Sequence, residues 1–151
     1  MQKRISMSDK KDLAVKFRIQ RIETLQFAIL QEEVSREKLA FSVNFGFGID
    51  PTNAIVRSTF RYEMLSDDKS CLIIEVAIDF EIDKKCFETD FFKDGKLFIE
   101  KGFAIHLSMV VVGTTRGILH EKTREMPINL FPIPTVNVLN QITEDIFFEG
   151  S

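Results

Sequence analysis

From Val15 the chain alternates apolar and polar residues. Val15, Phe17 and Ile19, then Leu25, Phe27 and Ile29 beyond the polar Arg21 and Glu23, all fall on odd numbers and so on one face of an extended strand. A polar stretch from Gln31 to Lys38 ends this element. The second alternation is the cleanest in the chain: Leu39, Phe41, Val43, Phe45, Phe47 and Ile49 against Ala40, Ser42, Asn44, Gly46 and Gly48. Asp50-Pro51-Thr52-Asn53 supplies turn chemistry. A third strand follows over 54–64, with Ala54, Val56, Phe60, Tyr62 and Met64 on one face and Arg57, Thr59, Arg61 and Glu63 on the other. After a turn at Ser66–Ser70, Leu72, Ile74, Val76, Ile78, Phe80 and Ile82 alternate with Ile73, Glu75, Ala77, Asp79 and Glu81. The pattern predicts a four-stranded antiparallel sheet, oily on one face and mostly polar on the other, with short turns joining its last three strands.

Beyond Asp83 the alternation stops. Lys84–Lys96 is expected to be a loop with an Asp94-Gly95 turn, carrying Phe87, Phe91 and Phe92. From Leu97 to about Glu125, Phe103, Leu107, Val110, Val111, Thr114 and Ile118 recur at helical spacing with no strong turn signal, which predicts one long helix. Val110-Val111-Val112 and the glycines at 102, 113 and 117 oppose it by propensity. Met126–Pro134 is proline-punctuated and extended, and Val138–Phe148 has the spacing of a short amphipathic helix. The predicted fold class is therefore α+β: a four-stranded antiparallel sheet, a long helix and a short C-terminal helix. Residues 1–12 are expected to form a mobile polar tail, and 13–151 a single domain.

Residues 103–112 are apolar nearly all round, so such a helix needs cover on two sides. One sheet covers only one side. The expectation is a homo-oligomer in which Met109, Val110, Val112, Gly113 and Gly117 meet a second subunit, the glycines allowing close approach.

Composition narrows the function. With 151 residues, 44% hydrophobic and 28% charged, the chain has the profile of one folded domain. A net charge of −3 argues against nucleic acid or anionic lipid as a partner. No stretch reaches the roughly 20 apolar residues of a membrane span, because the longest run is interrupted at His106 and Ser108, so membrane insertion is not expected. The charged start lacks the apolar core of a secretory signal, and a cytoplasmic location is expected. Cys71 and Cys86 are too few for a disulfide scaffold or a zinc site, so neither metal nor cofactor is expected. Fifteen Phe against one Tyr and no Trp favours apolar burial over hydrogen-bonded recognition.

Candidate chemistry is sparse. Neither His106 nor His120 has a Cys, Ser or Asp at a catalytic spacing, and Gly46-Phe47-Gly48 lies inside a strand rather than at a phosphate-binding turn. Glu75, Asp79 and Glu81 form an acidic row, explained either by cross-strand pairing with Arg57 and Arg61 or by docking of a basic partner. Phe87, Phe91 and Phe92 either anchor their loop or form an exposed binding patch. No catalytic set emerges, so the protein is not expected to be an enzyme. The alternative is a hot-dog-like thioesterase or dehydratase acting at a dimer tunnel, with Glu100 or His106 as its acid–base group.

Phe17-Arg18-Ile19-Gln20-Arg21-Ile22, the run Thr115-Arg116-Gly117-Ile118-Leu119 and Leu130-Phe131-Pro132-Ile133-Pro134, in this order of elements, resemble the SecB-like chaperone family over about residues 13–148. The resemblance implies a homotetramer with long helices held between eight-stranded sheets. It implies an ATP-independent holdase that binds non-native extended polypeptides in apolar grooves, such as export preproteins or an antitoxin. Phe87, Phe91, Phe92, Phe131 and Ile133 are the expected client-binding residues. Ile73 and Glu75 match part of the surface through which SecB docks on the motor SecA, whereas two further acids of that surface fall on Gln26 and Leu30. SecA and an antitoxin are therefore equally compatible partners.

Overall fold

The computed structural model describes residues 15–31 and 33–149, and the expected tail at 1–12 lies outside them. Four strands, β1 (Phe17–Ile29), β2 (Leu39–Asp50), β3 (Ile55–Ser66) and β4 (Lys69–Ile82), form one antiparallel sheet in the order β1-β4-β3-β2. Local chemistry sets the turns. Asp67 and Asp68 both take positive φ, 54° and 63°, which is the two-residue hairpin loop whose twist matches its strands. At the β2–β3 turn, Asp50 Oδ1 accepts from the backbone N–H of Thr52 and Asn53, and Asn53 Nδ2 donates to Asp50 Oδ2 at 2.8 Å. The even-numbered residues of β3 and those of β4 from Leu72 to Ile82 are buried and point to the inner face.

β1 departs from strict alternation. Its register against β4 slips between Ile19 and Arg21 and again between Thr24 and Gln26, leaving Gln20 and Leu25 without partners. Phe17 and Ile19 lie opposite Ile82 and Phe80, Ile22 and Thr24 opposite Ile78 and Val76, and Phe27 opposite Ile74. The first bulge shifts the phase by one residue and the second shifts it back. Ile22 therefore joins the inner face, and Leu25, expected there, becomes an unpaired bulge residue.

The segment after β4 is not a loop. α1 (Lys84–Asp90) starts there, with the Asp83 carboxylate accepting from the N–H of Cys86. A hairpin follows, β5 (Phe92–Lys93) and β6 (Lys96–Ile99), around Asp94 and Gly95, both at positive φ as its tight turn requires. The long helix is present as α2 (Lys101–Lys122); Leu97–Ile99, expected within it, belongs to β6. Glu100 opens α2 by accepting from the N–H groups of Gly102 and Phe103 at 2.9 and 3.0 Å. α2 lies along β3 and β4 and buries Ala104, Leu107, Ser108, Val111, Thr115 and Leu119. That burial outweighs the β-branched residues and glycines that oppose a helix.

α2 also corrects the reading of membrane propensity. At 22 residues it is long and apolar enough, by length and composition, to cross a bilayer, and 44% of its most apolar stretch is buried inside the protein. Past α2, a 3-10 turn occupies Pro127–Leu130. The short C-terminal helix α3 covers only Val138–Gln141, and the rest of the expected helix includes β7 (Ile146–Phe147), which pairs with β6.

Candidate polypeptide-binding surface

Three phenylalanines expected in one loop separate into two roles. Phe91 and Phe87 are buried, stacked with ring centroids 5.2 Å apart, and Phe91 meets Phe103 of α2 edge-on at 5.7 Å. They anchor α1 to the core, and of the two only Phe91 also lines the cleft beside Phe92. Phe92, next in sequence, is 43% exposed. It lines a cleft of about 350 Å³ together with Val15, Phe91, Phe98 and Phe103, and Asp90 and Glu100 also belong to its lining. The strap after α2 is also closed. Ile133 is buried, and Arg116 donates to the carbonyls of Ile133 and Pro134 at 3.1 and 2.7 Å. Phe131 is half-buried beneath the Arg36 guanidinium, 5.4 Å from its ring centroid.

The inner face of the sheet is wider than α2. Ile19 and Ile22 of β1 remain 48% and 49% exposed at one edge. Phe41 of β2 is 44% exposed at the other, stacked on Tyr62 at 5.8 Å. Ile22 was missed by counting odd positions, although Arg21 and Glu23, charged residues interrupting the alternation, mark where the phase changes.

The outward face is a lattice of charge pairs. Arg57 binds Asp79, Arg61 lies 3.1 Å from Glu63 and 3.9 Å from Glu75, and Arg18 holds Glu81 at 2.8 Å. Cross-strand pairing thus accounts for the acidic row. Ile73 and Glu75 sit half-buried within this face, with Gln26 opposite Glu75.

Along α2, Met109, Gly113 and Gly117 are exposed and Val110 is half-buried. Val112 is buried inside the subunit, so it is not available to a second chain in the way expected. Glu100 is occupied in capping α2, and the His106 ring lies edge-on to Phe17 with centroids 5.8 Å apart. His120 faces the Asn129 amide at 3.4 Å. Among the described residues, no three His, Cys, Asp or Glu side chains converge as a metal site.

No family model matches the chain, and no curated protein matches it in sequence. In structure it is similar to a SecB-like chaperone of Mycobacterium tuberculosis, solved in complex with a ChAD peptide from the HigA1 antitoxin. The likeness has a TM-score of 0.50 at 16% sequence identity and covers 80% of this chain and 90% of that one. The fold is SecB-like. The SecB-like arrangement of a four-stranded sheet, a long helix and a short last helix is what exposes the two sheet edges and the Phe92 cleft beside it.

Proposed function

We propose that this protein is an ATP-independent holdase chaperone that binds extended, non-native polypeptide on apolar surface. The observation that carries this reading is the aromatic cleft around Phe92, about 350 Å³ and walled by Val15, Phe91, Phe98 and Phe103. That volume takes one or two large side chains of a passing chain, and apolar burial at roughly 25 cal/mol per Å² discriminates little by sequence. Asp90, at the same lining, favours clients carrying a basic residue beside the apolar one. The SecB-like neighbour holds an antitoxin peptide. Antitoxin-type chains and export preproteins are the client classes proposed here, with a cytoplasmic homotetramer as the working assembly. Hand-off to SecA through Ile73 and Glu75 is the proposed downstream step for export clients.

The test is suppression of citrate synthase aggregation by Phe92→Ser. Weaker suppression at unchanged assembly mass is expected. Full suppression by the variant would remove the cleft from the binding surface.

A further inference from the structure

β6 is held fast by the core and only lightly covered along one edge. Leu97 and Ile99 are buried, 4% and 0% exposed. On the edge away from β5 lies β7, two residues long, with Phe147 opposite Phe98 and Ile146 opposite Ile99. The Phe148 N–H extends this pairing, donating to the Leu97 carbonyl at 3.0 Å. Asp145 sets the register, since its Oδ1 accepts from the Lys101 N–H at 2.9 Å and Lys93 Nζ stands 3.8 Å from its Oδ2.

Little else retains this segment. Over residues 143–149 no residue is buried, Ile146 and Phe148 being half-buried. The Phe147 ring, stacked on Phe98 with centroids 5.5 Å apart, is 49% exposed. The last buried anchor among the described residues is Ile142, whose N–H donates to the Val138 carbonyl at 3.0 Å. Beyond it the chain lies along β6 as an added peptide lies along a sheet edge, by main-chain pairing and one side-chain stack. A short ladder with so little burial opens at the low end of the local stability range. Phe98 joins this edge to the aromatic cleft, because the same ring stacks on Phe147 and lines the space beside Phe92. Lifting β7 would bare the backbone edge of residues 97–99 and widen the apolar surface next to that cleft.

We propose that residues 145–148 are a resident ligand of β6, filling a site for an extended peptide with the chain's own strand. An incoming extended segment that carries an aromatic side chain displaces them, pairs with residues 97–99 and stacks on Phe98. The site offers one strand edge and one ring, so its partner is extended polypeptide rather than a folded surface. Displacement by a client rests on the proposed function; the peptide site on β6 does not. While the strand is seated the site is closed, so releasing it raises apparent affinity in proportion to the fraction opened.

Releasing the strand in the full chain tests this. Asp145→Ala with Phe148→Pro removes the Lys101 contact and the N–H donor to Leu97. A fluorescein-labelled peptide of residues 142–150 should bind this variant more tightly than wild type, on the order of tenfold by fluorescence polarisation. The same peptide carrying Phe147→Ser should lose that binding. Denatured citrate synthase should be held at a lower concentration of the variant than of wild type. Equal peptide affinity for the two folded chains, or binding that ignores Phe147→Ser, overturns the proposal. So does a variant that takes the peptide more tightly yet holds citrate synthase less well, which would make the segment part of the client surface instead of its competitor. If circular dichroism shows the double variant unfolded, Phe147→Ser in the full chain must move both affinities in the same directions, and unchanged affinities there overturn the proposal equally. Tighter peptide binding with citrate synthase held by neither chain leaves the β6 site standing and removes only the chaperone reading.

Discussion

Asp79 accepts from both Nε and Nη2 of Arg57, at 2.7 and 3.1 Å, and Glu23 of β1 reaches the same guanidinium at 3.4 Å. One side chain on β3 thus ties together three strands on the outward face. The Arg57 side chain is 37% exposed and that of Asp79 13%, so water screens part of the attraction. Arg57→Leu is expected to cost on the order of 1 kcal/mol, seen as a lower urea midpoint. The difference from wild type should shrink in 1 M salt, at roughly a 3 Å screening length; an unchanged gap would place the loss in packing rather than charge.

Tyr62 presents the opposite case. Its ring is fully buried in the core while its hydroxyl finds no hydrogen-bond partner among the described residues. Burial, with Cys71 adding to it, pushes that hydroxyl well above the ordinary tyrosine range. Tyr62→Phe removes a stranded polar atom, so stability should hold or rise by up to about 1 kcal/mol. A clear loss in chemical denaturation would show that the hydroxyl has a partner after all.

Phe91 and Phe92 should separate stability from binding. Phe91→Ala opens a cavity beneath α1 and is expected to cost about 3 kcal/mol or more. Phe92→Ala, on a half-open side chain, should cost less than about 1 kcal/mol. Thermal melts of the two single variants check this, and equal losses would mean that Phe92 is as structural as its neighbour.

Acid should loosen the β2–β3 turn first at Asp50. The Asn53 side-chain amide and the backbone N–H groups of Asn53 and Thr52 hold its carboxyl below the ordinary value of 3.8. A depressed folded-state value means the contribution is complete above the ordinary aspartate range and fades as pH falls through the folded-state value. NMR titration of Asp50 should show a midpoint under 3.8, and Asp50→Asn should abolish this part of the acid response. A midpoint at or above the ordinary value would deny the turn its carboxylate clasp.

Much of the fold was legible because period two is unambiguous when one face is buried. Phe41–Ile49 and Leu72–Ile82 each declare their strand and its inner side, and the Asp-Gly turn at 94–95 falls where it was expected. The long helix was legible from spacing, although its start was misplaced. Leu97–Ile99 continues the same apolar pattern, and only pairing with residues 92–93 and 146–147 makes it a strand. The candidate site was less legible. Phe91 and Phe92 are adjacent and chemically identical, and only the placement of α1 against Phe103 sends one inward and leaves the other at the surface. Val112 likewise looked no different from Val110 until the helix was turned onto its sheet.

The two bulges of β1 give that strand slack. Gln20 and Leu25 are surplus to the ladder, so a chain shortened by either one keeps Phe17 beside Ile82 and Ile29 beside Leu72 and merely straightens. β2 has no such reserve. It is matched residue for residue to β3 from Leu39 to Asp50, and losing any one position there would turn part of its phenylalanine ladder out to water. Length variation is affordable at one edge of the sheet and prohibited at the other.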